Sequence, residues 1–452
     1  MPTKTIFAGG FCVLAVLFAT YAPLPLETAG RIVLGLAFLS AICWTLEPIS
    51  IELTALCLLL ALPLTGVATF DETFSAFGRP AVWLVFAGMV ISQLITETRL
   101  GDLLASTITS RLSSPVALVF KLCLIGVILA LLIPSGVVRV LIILPILIVL
   151  LDGLKAKPYS PLSAAVILSV VCATYCGGTG ILTASVPNLV IMGVLESHGH
   201  PVYWAEWAGH MLPVIGILRV ITVAGIILIL FRPRLPETAI ASEAVHLGSR
   251  EWRALILLVV GVLGWSTDTI HHIHPVIIGL ALTILCITPG IGPLTAAHLK
   301  KCNYPILIYI GSVFALGEAI VSSGAGDAAA VLLTQGLDTF GTSLTGRLAS
   351  ITAIVTPFNF LVDVAVVGGV ITPPLLQVGD TVGLSALQIA LSVAVGTGVV
   401  FIPYQSAPFM VAYAYGYVTM RQYVTTMVLI CLVNLILLVP INLLYWAWIG
   451  FI

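Results

Sequence analysis

The sequence predicts an all-α polytopic membrane protein of about eleven transmembrane helices plus two re-entrant hairpins, built as two inverted repeats. Three observations carry that expectation. Of the 452 residues, 60% are hydrophobic and 8% charged, where a soluble chain carries roughly 25% charged residues. Apolar runs follow one another almost from end to end, and they are continuous rather than alternating, which selects helices over barrel strands. Landmarks of the first half also recur in the second at a nearly constant offset.

An N-terminal helix occupies 1–27; its apolar stretch from Ile6 to Leu24 lacks a small-residue cleavage site and leads into more membrane, so no cleavable signal is expected. The first repeat covers 28–231, with spans at 29–46, 50–68, 80–97 and 209–231 and a polar amphipathic stretch at 97–111. Within it, 114–152 is apolar but broken at Pro134, Ser135 and Gly136, with Arg139 just beyond. Both flanks are short for a crossing, so the segment reads as a re-entrant hairpin. The helix from Pro161 is interrupted by Gly177, Gly178, Thr179 and Gly180 and again by Pro187 and Asn188, giving an unwound loop at 177–188. A polar cytoplasmic linker at 232–252 precedes the second repeat, 253–452, with spans at 253–268, 274–291 and 304–321. Its hairpin, 348–378, is broken by Pro357, Asp363, Gly368 and Gly369, and the stretch from Leu384 unwinds at 402–409 before a last span from Tyr423.

Trp44 and Glu47 match Trp265 and Asp268 at an offset of 221, and the Gly101-Asp102 stretch matches Gly326-Asp327 at 225. Ser135 before Pro145 matches Asp363 before Pro373 at 228, and Ser185-Val186-Pro187 matches Ser406-Ala407-Pro408 at 221. Four ordered landmarks in so narrow a window argue for a duplication, and an odd number of crossings per half inverts the second copy. With the N-terminus inside, thirteen of the eighteen Lys and Arg fall in inner loops, as the positive-inside rule requires. The outer loops carry His198, His200, His210, His271, His272 and His274, which lack a carboxylate or cysteine at metal-ligand spacing and read as solvated loop histidines. The nine cysteines lie mostly in apolar runs and read as packing. A net charge of −1 indicates no nucleic-acid partner; the lipid bilayer is the surrounding phase.

Backbone broken at membrane depth is tolerated only around a protein-lined or watered cavity. Helix N-termini there attract anions and free carbonyls attract cations, so the two tips and two unwound loops are the candidate site. Arg139 and Asp363 are intramembrane charges and functional candidates by default. The planar fork of Arg139 suits a carboxylate, sulfate or sulfonate, while Asp363 could ligate a cation, carry a proton or neutralise Arg139. Glu318 is a weaker candidate. Gly324-Ala325-Gly326-Asp327 matches the GxGD of membrane aspartyl proteases, but its repeat mate Arg99-Leu100-Gly101-Asp102 explains it as a duplicated helix end, and no Tyr-Asp partner exists.

Over nearly its whole length the chain resembles the divalent anion/sodium symporter family of the ion transporter superfamily, as a divergent member. The resemblance rests on Trp44-Thr45-Leu46-Glu47-Pro48-Ile49-Ser50, on the loop Gly177-Gly178-Thr179-Gly180 through Ser185-Val186-Pro187-Asn188, and on the closing aromatic runs at Tyr413 and Tyr445. It implies a dimerising scaffold domain, an elevator-like transport domain, and tips that hold substrate carboxylates and ligate sodium. By that resemblance Ser135, Gly136, Arg139, Ser185, Asn188, Asp363, Val364, Ser406 and Ala407 would face substrate. Ser135, Gly177, Gly178, Asp363 and Gln405 would serve coupling sodium ions, with no other cofactor. The chain departs from the family at both tips, Ser135-Gly136-Val137 and Asp363-Val364-Ala365, which lack its Asn-Thr pair, and in the second loop, where Phe409 stands for an amide. The expectation is an inner-membrane, homodimeric symporter or exchanger of small anions. A cation/proton antiporter or an oxyanion efflux carrier is the alternative, with a channel more distant.

Overall fold

The computed structural model describes residues 26–46, 48–109, 114–133, 135–235, 247–360 and 363–452. The span expected before residue 26, Glu47, Arg111, Pro134 and most of the linker lie outside these residues. Every regular element among them is helical. The part before the linker contributes α1 (Thr28–Leu46), α2 (Ile51–Leu64), α3 (Phe70–Ser75), α4 (Pro80–Thr96), α5 (Leu100–Thr109), α6 (Pro115–Leu132), α7 (Gly136–Gly153), α8 (Pro161–Thr179), α9 (Val186–Ser197) and α10 (Trp204–Phe231). The part after it contributes α11 (Ser249–Ser266), which begins inside the stretch expected as linker, α12 (Pro275–Ile287), α13 (Pro305–Ser322), α14 (Ala325–Leu337), α15 (Leu344–Phe358), α16 (Val364–Val382), α17 (Ala386–Thr397), α18 (Ala407–Ala414) and α19 (Met420–Trp448).

Starts are marked by Ser or Thr, whose hydroxyl accepts an otherwise orphaned N–H, often followed by Pro, which has none to lose. Ser114 before α6 and Ser160 before α8 follow this pattern, while Ser385 and Thr419 close capping boxes with Gln388 and Gln422. Among the described residues six helices are long and apolar enough to cross a membrane, and a seventh results if α3 and its following turn join α4 across a 46° bend. Six further apolar helices run only 10–17 residues, so the expected count of eleven merges clear spans with shorter pieces.

The helix pairs α6–α7 and α15–α16 flank the two expected tips, with α6 and α7 each long and apolar enough to span, and two expected breaks move. The α8 helix runs through Gly177 and Gly178 to Thr179, so the chain unwinds at 180–185 instead of at the glycines. The second unwound segment spans 398–406, and helix resumes at Ala407. Gly368 and Gly369 do not break α16: they allow close packing, since a Cβ at Gly369 would lie 2.7 Å from Val313 and one at Gly368 3.0 Å from Ile191. Pro357 sits in the last turn of α15.

Two groups of helices share the molecule. In one, α13 packs on α2 and α12 on α4, where Gly279 admits Leu84 and Ala87. In the other, α6 packs on α8, α15 on α17 and α9 on α16. Asp268, fully buried after α11, accepts the N–H groups of Trp204 at 2.5 Å and Ala205 at 3.2 Å and so caps α10.

Candidate functional site

The two hairpin tips and two unwound segments converge. Ser135 opens α7, its Oγ accepting the Val138 N–H at 3.4 Å. A Cβ at the next residue, Gly136, would meet the Pro408 ring of α18 at 2.8 Å and Arg139 Nη2 at 3.3 Å. The first tip therefore abuts the start of α18, just past the second unwound segment, and only glycine lets them close to this distance.

Arg139 lies across the first tip and first break. It is 2% exposed. Nη2 donates to the Ala184 carbonyl at 2.8 Å and Nη1 to the Ile133 carbonyl at 3.2 Å, while Nε has no partner. Its partners are carbonyls, not Asp363. An isolated cation at membrane depth costs about 2.5–3.5 kcal/mol on insertion scales, and these carbonyls, with that of Ala130 at 3.5 Å from Nη1, carry no formal charge to neutralise it.

Asn188, at the start of α9, turns its amide nitrogen onto the carbonyls of Gly178 and Thr179 at 3.2 Å and of Ile181 at 3.0 Å. It thus satisfies the C-terminal end of α8, which has no helix to continue into. Trp207 of α10 adds a bond to the Thr179 carbonyl at 3.3 Å. The second break repeats the device with different residues. Asn359 donates to Gly396 and Val399 carbonyls at 2.9 and 2.8 Å, and Arg219, 1% exposed, donates to Gly398 at 2.7 Å. The Gln405 side-chain oxygen Oε1 accepts the N–H groups of Phe401 and Ile402, each at 2.7 Å. Phe409, in the first turn of α18, packs its ring 4.8 Å from that of Tyr175.

Ser185 and Ser406 precede α9 and α18 with nearly the same backbone, φ −140° and −152°, and neither hydroxyl is spent on capping. Val364 and Ala407 are the first residues of α16 and α18. At the second tip Asp363 caps α16: its Oδ1 accepts the Ala365 N–H at 2.9 Å and the Tyr309 hydroxyl of α13 at 3.3 Å. Four helix N-termini, of α7, α9, α16 and α18, thus open at the two tips and two breaks, with a buried guanidinium beside them, an arrangement that favours an anion.

A hard cation needs oxygen ligands. The second tip supplies the Asp363 carboxylate and the buried Asn359 Oδ1, which has no partner. At the first break, where Gly177 and Gly178 were expected to serve a cation, the guanidinium of Arg139 is the close neighbour, its Nη2 3.2 Å from a Cβ placed on Gly178. The second position fits sodium better than the first.

Arg219, Asn359 and Tyr309 belong to this site although sequence reasoning did not assign them. Asn359 stands four residues before Asp363, and its amide nitrogen is spent on the carbonyls of Gly396 and Val399 at the end of α17. Glu318, the weaker candidate, pairs with Arg79 away from the breaks.

The family described as "Sodium:sulfate symporter transmembrane region" matches residues 7–452. A "Membrane protein" of Cupriavidus necator is 22% identical over 100% of this chain and 94% of its own length. The "L-tartrate/succinate antiporter" of Escherichia coli is 24% identical over 82% of this chain and 79% of its own. Among solved structures, the YdaH transporter of Alcanivorax borkumensis superposes with a TM-score of 0.51 at 15% identity, covering 99% of this chain and 98% of that one.

Proposed function

The chain belongs to the sodium:sulfate symporter family, a family of membrane transporters and not of enzymes, and we propose that it carries small di- or tricarboxylates, a related organic anion such as a sulfonate, or sulfate. The carrying observation is Arg139, a buried guanidinium bonded only to carbonyls, at the junction of the first tip and first break and beside the Gly136–Pro408 approach. A planar fork in that position matches a carboxylate or sulfonate head group. Ser185 and Ser406, with hydroxyls unspent, supply further donors to the same anion.

Coupling is by anion exchange or by one cation at the second tip. The fixed charge of Arg139 takes over the role a first cation would have, while Asp363 and the unpartnered Asn359 Oδ1 keep the donor set for a second, either sodium or a proton. The antiporter among the relatives supports the exchange arm.

Movement follows an elevator form of alternating access between two inverted repeats, 28–231 and 253–452. This reading is supported by the paired devices of the two halves: Asn188 and Asn359 at the breaks, Arg139 and Arg219 on their carbonyls, and π-helical turns at Leu212–Leu218 and Asn434–Leu438 inside the two longest helices. The helix group containing α2, α4, α12 and α13 would be the scaffold and the dimerising part. Arg99, Arg250, Arg253, Lys300 and Lys301 share one end of the bundle, which favours that end as cytoplasmic in an inner-membrane protein.

The test is uptake of radiolabelled succinate, with sulfate and a sulfonate in parallel, into proteoliposomes carrying a sodium gradient, a proton gradient or internal succinate. Gradient-dependent or exchange uptake of one of these anions is expected. Absence of all three under every condition would remove the reading.

A further inference from the structure

The two helix groups touch closely at one end and stand apart at the other. At the close end a Cβ on Gly193 of α9 would lie 2.5 Å from the Phe314 ring of α13 and 3.1 Å from Ala81 of α4. One turn further, His274 at the start of α12 donates from Nε2 to Glu196 Oε1 at 2.6 Å. Its Nδ1 accepts the Val276 backbone N–H at 3.2 Å, so the ring hydrogen is on Nε2 and the bond forms with a neutral imidazole. The Glu196 side chain is 9% exposed and its Oε2 is buried without a partner.

At the opposite end a crevice of about 570 Å³ separates α4 from α7, running from Val138 past Ile142 and Ile146 to Lys301 and Asn303. From Val138 to Ile146 is roughly 12 Å of helix. The crevice therefore joins the first tip, beside Arg139, to the end of the bundle that carries Lys301.

We propose that the α4–α7 crevice is the route by which the anion reaches the tips, and that the His274–Glu196 bond is the tether that holds the other side shut. The inference rests on the alternating-access reading. Both α7 and α9 are fixed to the first break, through Arg139 and Asn188, and so move together. Bringing α7 onto α4 carries α9 away from α12 and breaks the tether. Crevice and tether then report one two-state equilibrium, biased by a hydrogen bond to a charged group.

The experiment uses two thiol reporters in the full chain in nanodiscs, pulsed with a membrane-impermeant maleimide and read at each position by mass spectrometry. Val194→Cys reports the shut side: Val194 is 5% exposed and lines a cavity of about 230 Å³ with Arg79 and Glu318. Ile142→Cys reports the crevice. Adding His274→Ala or Glu196→Gln is expected to raise labelling at position 194 by about tenfold, while labelling at 142 falls or holds. His274→Gln, which keeps an N–H donor, should stay near the parent. Unchanged labelling at 194, or a rise at both positions together, would overturn the tether. Labelling needs no substrate, so a chain that switches accessibility yet moves no anion would overturn the transport reading alone.

Discussion

The Gln405 amide nitrogen donates to the Asn359 carbonyl at 2.7 Å, and Asn359 in turn holds the carbonyls of Gly396 and Val399. This relay ties the second tip to the second break entirely within buried space. Removing a link orphans buried groups at about 1–3 kcal/mol each. Asn359→Ala and Gln405→Ala should each lower the unfolding midpoint in detergent, and the double variant should cost less than the two added together. Full additivity would show that the two amides act independently.

Arg139 should separate charge from geometry. Arg139→Lys keeps the cation but cannot reach Ala184 and Ile133 at once, whereas Arg139→Ala leaves both carbonyls without a donor. Uptake of succinate is expected to fall at least tenfold in both, with Lys retaining measurable affinity and Ala none. Equal, near-normal uptake in the lysine variant would mean that the guanidinium fork does not read the anion.

At the second tip, Asp363→Asn preserves a good N-cap for α16 while removing the charge and the titratable proton. The fold should be retained, with an unfolding midpoint close to the parent. Uptake driven by a sodium or proton gradient should be lost, and succinate–succinate exchange should survive. A variant that still accumulates anion against its gradient would exclude Asp363 from coupling.

Much of this architecture was legible because its signals are local. Continuous apolar runs give helices, and Ser135 and Asp363 stand directly before α7 and α16. The break positions were misjudged at Gly177 and Gly178, because glycines in a tightly packed helix serve approach as well as unwinding: here they admit Val127 and Arg139. Gly368 and Gly369 misled for the same reason. Arg219 and Asn359 were invisible as site residues, since each acts on a carbonyl 179 or about 40 positions away. No spacing rule records such a contact.

Glycine contacts also separate two kinds of position. At Gly126 of α6 a Cβ would stand 2.9 Å from the Thr174 N and 3.0 Å from the Val170 carbonyl of α8, both backbone atoms that cannot turn aside. Gly126→Ala should force α6 from α8 and destabilise by about 1–3 kcal/mol. Gly225→Ala, in α10 with nothing within 4 Å, should be neutral or raise the midpoint slightly, by about 0.5–1 kcal/mol. Similar midpoints for the two would deny that the α6–α8 crossing depends on backbone approach.

Beside the crevice, Glu97 ends α4 and accepts from the Lys301 ammonium at 2.6 Å, with His298 Nε2 at 3.5 Å from its other oxygen. The ammonium holds the carboxyl below its usual range, with partial burial opposing it and His298 adding to it. A carboxyl whose folded value is lowered stabilises the fold above its free value, about pH 4.3, and loses that contribution as pH falls through the lowered value. The pair is largely solvent-facing, so the effect is on the order of 0.2–1 kcal/mol. Between about pH 5 and pH 3 the parent should therefore lose slightly more stability than Glu97→Gln, and high salt should shrink the difference. A larger acid loss in the Gln variant would reverse the sign of the coupling and place the stabilising charge elsewhere.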